Sequence, residues 1–247
     1  MTDAKLIDTE QMINRASQIA ENANEMQNAI KGAFQKIQSM SENWFGQSYD
    51  NFIDVVNTSI IALNKLFEIS VSDIPHEISS KAQSYAHSNQ QPMPAGLREQ
   101  IALILSELPK TNKGAKLRFR SSEVAADQSA IKSKFEEAKS CADKASTVAT
   151  SLESDWQSVS GDNNIRELKE AFKRVKNIVS HLQESLDSQI SAQENTISTI
   201  ENAANAVVAS KEVVENAVES TQQAASNAIN AIKQSSAEVW TNLTGKN

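Results

Sequence analysis

The chain has 247 residues, 39% of them hydrophobic, with only 6 Gly and 4 Pro and a net charge of −7. That hydrophobic share builds a core under a polar surface, and the acidity argues against general nucleic-acid binding, which needs a basic face for phosphates. Cys141 is the only cysteine, which excludes an intramolecular disulfide and a thiolate cluster, and the longest apolar run, Ile101–Leu105, is far short of the roughly 20 residues that span a bilayer.

From Met12 an apolar ladder runs through Ala16, Ile19, Ala23, Met26, Ile30, Ala33, Ile37 and Met40 to Trp44 in steps of four and three. This is a heptad seam on one helix face. Phe45-Gly46 follows, and glycine gives the backbone freedom for a sharp turn. A second helix then carries Phe52, Ile53, Val56, Ile60, Leu63, Leu66 and Phe67 inward, bends near Pro75 and fades in polar residues by Ser88 to Gln91.

Residues 91–120 read as a linker. Leu97, Ile101, Ile104 and Leu108 stand at helical spacing, which predicts a short amphipathic helix between Gly96 and Pro109 packed against the bundle with all four aliphatics covered. Lys110, Lys113, Lys116, Arg118 and Arg120 follow with no acid among them. They form an exposed basic connector, or a contact for anionic lipid or an acidic partner.

The first pattern then returns. Ile131, Phe135, Ala138, Ala142, Ala145, Ala149, Leu152 and Trp156 match the first ladder rung for rung when both are counted back from their tryptophans, an internal repeat offset by 112 residues, the separation of Trp44 from Trp156. Past Gly161 a fourth helix carries Leu168, Phe172, Val175, Val179, Leu182 and Leu186, and its seam shifts by a stutter to Ile190, Ile197, Ile200 and Ala204. No Gly or Pro lies between Gly161 and Gly245, so the span is either one helix on the order of 120 Å long or two broken around Asn195–Asn205. In the tail, Val214, Val218, Ala225, Ile232 and Val239 keep heptad spacing with small side chains, which predicts a loosely attached helix that binds a partner.

The pattern predicts an all-α protein: elongated antiparallel helical hairpins forming a four-helix bundle, with a helical C-terminal tail. Its segments are a first hairpin at 1–90, the linker at 91–120, a second hairpin at 121–205 and the tail at 206–247. Trp44 and Trp156 each close a helix of similar length, and they are expected at the same end of the molecule; a separation near a full helix length would remove the picture of a fused pair. No catalytic chemistry is expected. His76, His87 and His181 stand apart from one another and from Cys141, no phosphate loop or metal-binding helix motif occurs, and neither a cofactor nor a metal is implied.

The succession of helix, Trp44-Phe45-Gly46 turn and helix, with Phe52 eight residues after Trp44, resembles the WXG family of early secretory antigen-like helical hairpins exported by type VII secretion systems. The resemblance covers Met1 to Gln90. The second half matches in outline: Trp156-Gln157-Ser158 lacks the motif glycine, and Gly161 arrives three positions late. The family's export signal, a Tyr followed four residues later by Asp or Glu, is absent, since Tyr49 leads to Ile53 and Tyr85 to Asn89. Taken over both halves, the resemblance implies a family pair fused into one chain. The expected function is a non-enzymatic substrate or chaperone-like adaptor, secreted without a cleavable signal peptide and binding protein partners such as the secretion machinery or a co-secreted helical protein. The alternatives are an α-helical membrane-active toxin component and a cytoplasmic coiled-coil scaffold.

Overall fold

The computed structural model describes residues 7–111 and 117–244, with side chains placed through residue 208 and at scattered positions beyond. In chain order it comprises α1 (Thr9–Met40), β1 (Trp44–Phe45), α2 (Gln47–Phe67), a π-helical segment (Glu68–Asp73), α3 (Ile74–Ser88), β2 (Arg118–Phe119), α4 (Ser121–Asp155) and α5 (Val159–Thr244). α2, the π-helical segment and α3 follow one another without interruption. The protein is therefore all-α, with four helical rods forming a bundle of two antiparallel hairpins up to Gln193. From Glu194 the chain forms a second unit.

The seams read from the sequence are the core. Every rung from Met12 to Trp44, and every rung from Ile131 to Trp156, has no accessible surface. α1 starts where Asp8 accepts a hydrogen bond from the Gln11 amide at 3.0 Å, satisfying one of the orphan donors of a helix N-terminus. In α5 the buried face runs from Ile165 to Ile190 and ends at Gln193, whereas Ile200 is half exposed. The asparagines at 195–205 do not interrupt the helix.

The two hairpins are joined by reciprocal pairing of short strands. β1 pairs with β2 antiparallel, Trp44 opposite Phe119, and at the other end Ile7 bridges Trp156. The flanking hydrogen bonds match: the Asp8 amide donates to the Asp155 carbonyl at 2.9 Å, and the Arg120 amide donates to the Asn43 carbonyl at 3.0 Å. These bonds map onto each other under the 112-residue offset, as do the helix starts Thr9 with Ser121 and Gln47 with Val159. Each hairpin thus lends the strand before its first helix to the tryptophan hinge of the other, the self-complementary exchange of a two-fold pair.

This overturns the same-end expectation for the tryptophans. α1 and α4 run antiparallel, so Trp44 and Trp156 close opposite ends of that pair, about one α1 length or 48 Å apart at 1.5 Å per residue. By the criterion given with that expectation, the side-by-side fused pair is removed; the strand exchange relates the two repeats instead by a two-fold axis, which sends equivalent ends apart.

The linker is the second correction. Residues 91–111 form no helix. They run antiparallel along α2 and α3, held by side chains that grip the main chain. Asn57 donates to the Leu108 carbonyl at 2.9 Å and accepts from the Leu108 amide at 2.8 Å, and Asn64 does the same at Leu105, at 3.1 and 2.8 Å. Gln27 of α1 accepts from the Leu103 amide at 2.8 Å and donates to the Ile101 carbonyl at 3.3 Å. Asp50 accepts from the Thr111 amide, Ser72 donates to the Gln100 carbonyl and Ser79 accepts from the Leu97 amide. Leu105 is buried and Leu97 and Leu108 are partly buried, while Ile101 and Ile104 are 77% and 84% exposed. Helical spacing of the four aliphatics lost to six polar side chains that satisfy an extended backbone.

Of the basic run, Lys110 pairs with Asp54 at 2.7 Å, Arg118 lies over the Phe45 ring at 5.0 Å, and Arg120 is exposed beside Asn43. Lys113 and Lys116 lie outside the described residues.

Candidate functional site

The two tryptophan hinges carry half of the candidate residues, and they use different chemistry on one frame. At the first, Trp44 packs edge-on against Tyr49 at 5.3 Å and Phe119 at 6.3 Å and stacks on Phe52 at 6.3 Å. Such aromatic pairs add roughly 0.5–1.5 kcal/mol each beyond area burial. Gly46 caps α2 with φ 136° and ψ −171°, a backbone region essentially restricted to glycine, and Phe52, about 1.7 turns later, stacks on the indole. Tyr49 is buried, and its hydroxyl donates to the Ile37 carbonyl at 3.0 Å. Burial pushes its pKa up to about 12, against a smaller pull downward from Ser41 and with a further push from the Asp50 charge.

At the second hinge the equivalents of Gly46, Tyr49 and Phe52 are Ser158, Gly161 and Asn164. The turn is made there without a positive φ, and Gly161 serves a different need. A Cβ on it would stand 2.5 Å from the Trp156 carbonyl oxygen and 2.9 Å from the ring, so glycine is what lets α5 start against the indole. The late glycine is therefore no displaced motif glycine; it occupies the place of the tyrosine. Asn164 is buried where Phe52 stacks in the first hinge. Among the described residues, its Nδ2 and the Nε1 atoms of both tryptophans have no hydrogen-bond acceptor.

Trp44, Gly46 and Phe52 thus come together in one cluster, and Trp156 and Gly161 in another at the far end of the α1–α4 pair. The sequence reading missed Phe119, Tyr49 and Ile7, which complete the clusters. Counting the 112-residue offset onward from the helix starts would have found Ile7 and Phe119 as equivalents. Both indoles are wholly buried, so these motif residues act by closing corners. The tail positions Val214, Val218, Ala225, Ile232 and Val239 fall within α5, and their side chains lie outside the described residues.

Cys141 is buried, and its Sγ lies 3.6 Å from Glu25 Oε2. Desolvation first, then the Glu25 carboxylate, pushes the thiol pKa upward, which disfavours the nucleophilic thiolate. Among the described residues no group of His, Cys, Asp and Glu is placed to hold a metal ion, and no helix is long and apolar enough to cross a membrane.

No protein-family profile, curated protein or solved structure matches the chain.

Proposed function

We propose that the protein is a non-enzymatic, secreted substrate or chaperone-like adaptor of a bacterial type VII secretion system, working through helix-mediated binding of protein partners. The observation that carries this reading is the first hinge: Trp44 buried, Gly46 in its glycine-only conformation and Phe52 stacked on the indole, at the corner of an antiparallel hairpin. Those are the residues on which the resemblance to the WXG family rests. The second unit supports the binding role, because Ile200, Val207 and Val208 of α5 are more than half exposed there. Deleting the secretion ATPase in the producing cell is the test: the protein should vanish from the medium and accumulate inside, and an unchanged extracellular amount rejects the assignment.

A membrane-active role draws on one observation, the exposure of Ile101 and Ile104 beside a basic run. Dye-loaded anionic vesicles that stay intact at micromolar protein would dispose of it.

A further inference from the structure

Six side chains read the main chain of residues 97–111, and five of them, on α2, the π-helical segment and α3, fall into two evenly spaced sets. Asp50, Asn57 and Asn64 stand seven residues apart on α2, and their partners Thr111, Leu108 and Leu105 stand three apart. Seven helical residues rise about 10.5 Å, and three extended residues span about 10 Å, so the two periods coincide only if the strap is fully extended. Ser72 and Ser79, again seven apart, meet Gln100 and Leu97, again three apart. Between Asn64 and Ser72 the helix step is eight and the strap step, Leu105 to Gln100, is five, so the match is interrupted at the π-helical segment; there Gln27 of α1 holds Leu103 and Ile101 instead, and the seven-to-three spacing resumes from Ser72 into α3.

An internal control sits in the other hairpin, where the equivalents of Asn57 and Asn64 are Lys169 and Lys176. Both pair with acids of α4, Glu153 and Asp143, and among the described residues no extended segment hydrogen-bonds to them. The paired amides occur in the hairpin that carries the extended segment. Asn57 and Asn64 each offer one donor and one acceptor to one residue's amide and carbonyl, a contact that ignores the side chain of the residue bound. The strap's own sequence is weakly committed to this form, since its four helix-spaced aliphatics leave Ile101 and Ile104 in solvent.

We propose that the face of α2 and α3, completed by Gln27, is a binding site for an extended peptide main chain, filled in cis by residues 97–111. Its ligand in trans is an extended segment of a partner protein with apolar residues at the spacing of Leu97, Leu105 and Leu108, which displaces the strap. A tethered ligand competes at an effective concentration in the millimolar range, so the free chain keeps the site closed until a tighter segment arrives.

The test uses the full chain and a fluorescein-labelled peptide of residues 96–111. Leu105→Asp with Leu108→Asp weakens the cis strap; that chain should bind the peptide at least tenfold more tightly than the wild type. Adding Asn57→Ala and Asn64→Ala should abolish binding. A peptide N-methylated at the residues matching Leu105 and Leu108 keeps every side chain but loses the two amide donors, and it should bind at least tenfold more weakly. Equal binding of the methylated peptide, or no binding to the strap variant with its helices intact by circular dichroism, overturns the proposal. Should the double aspartate variant unfold, amide exchange in the wild-type fold decides: Asn64→Ala should speed exchange at Leu105, and Asn57→Ala at Leu108, by at least tenfold. Unchanged rates overturn the site.

Discussion

At the scale of single residues, the two hinge glycines answer to different physics and should fail differently. Gly46→Ala must force a Cβ into a glycine-only backbone region, which costs on the order of 1–3 kcal/mol through the backbone itself. Gly161→Ala keeps a helical backbone and drives its methyl into the Trp156 carbonyl and ring; overpacking of that kind costs about 1–3 kcal/mol. Trimming the indole in a Trp156→Phe background should recover part of the Gly161→Ala loss in urea melts, whereas Trp44→Phe should not rescue Gly46→Ala. Tyr49 adds a pH test. Its folded pKa, about 12, lies above the unfolded value near 10, so its contribution is whole below pH 10 and is lost as pH rises toward 12. The loss is on the order of 2 kcal/mol. Thermal melts from pH 9.5 to 12 should fall more steeply for the wild type than for Tyr49→Phe. Trp44, Gly46 and Phe52 were legible because a motif spacing lies within ten residues. Phe119 and Ile7 were not, because each belongs to its cluster only through pairing with a residue far along the chain.

At the scale of elements, α1 and α4 form a fully buried seam richest in alanine along the C-terminal half of α4. The antiparallel register lays Ala16, Ala20 and Ala23 of α1 against the α4 half that carries Ala142, Ala145 and Ala149, and places Ile30, Ile37 and Met40 against the half with Val124, Ile131 and Phe135. Met12, Ile19 and Leu152 lie buried among the alanines of the first end, and Ala33 and Ala138 among the larger side chains of the second, so each end mixes small and large side chains in a closed seam. Ala145→Leu should therefore cost about 1–3 kcal/mol in a denaturant melt, where the same change at the exposed Ala203 should register near zero. A neutral Ala145→Leu would mean that the seam has slack. Seam positions were readable because a buried stripe must repeat every three or four residues. The strap defeated the same logic: its aliphatics have helical spacing, but the deciding partners are Gln27, Asn57 and Asn64, polar residues whose role is set by where the linker returns.

At the scale of the molecule, the all-α architecture and the hairpin order followed from the sparse breakers and the heptad seams, while the relative sense of the two repeats did not. Identical seams fit a parallel or a two-fold arrangement equally well, and the strand exchange at Ile7 and Phe119 selects the second. The first unit closes at Gln193, so a chain ending after Lys211 should melt at the full-length temperature while losing partner binding or secretion. A lowered melting temperature would make the tail part of the core. The reciprocal exchange also sets a timetable for synthesis. α1 ends at Met40, but its antiparallel mate is complete only at Asp155, a wait of roughly 6 to 23 s at ribosomal speeds of 5–20 residues per second. For that interval the α1 seam lacks its mate and stays open to holding factors and proteases. Nascent chains stalled with residue 120 clear of the ribosome should be cut within α1, and chains stalled with residue 193 clear should resist; early resistance would show that α1 is sheltered by its own hairpin before the second repeat is made.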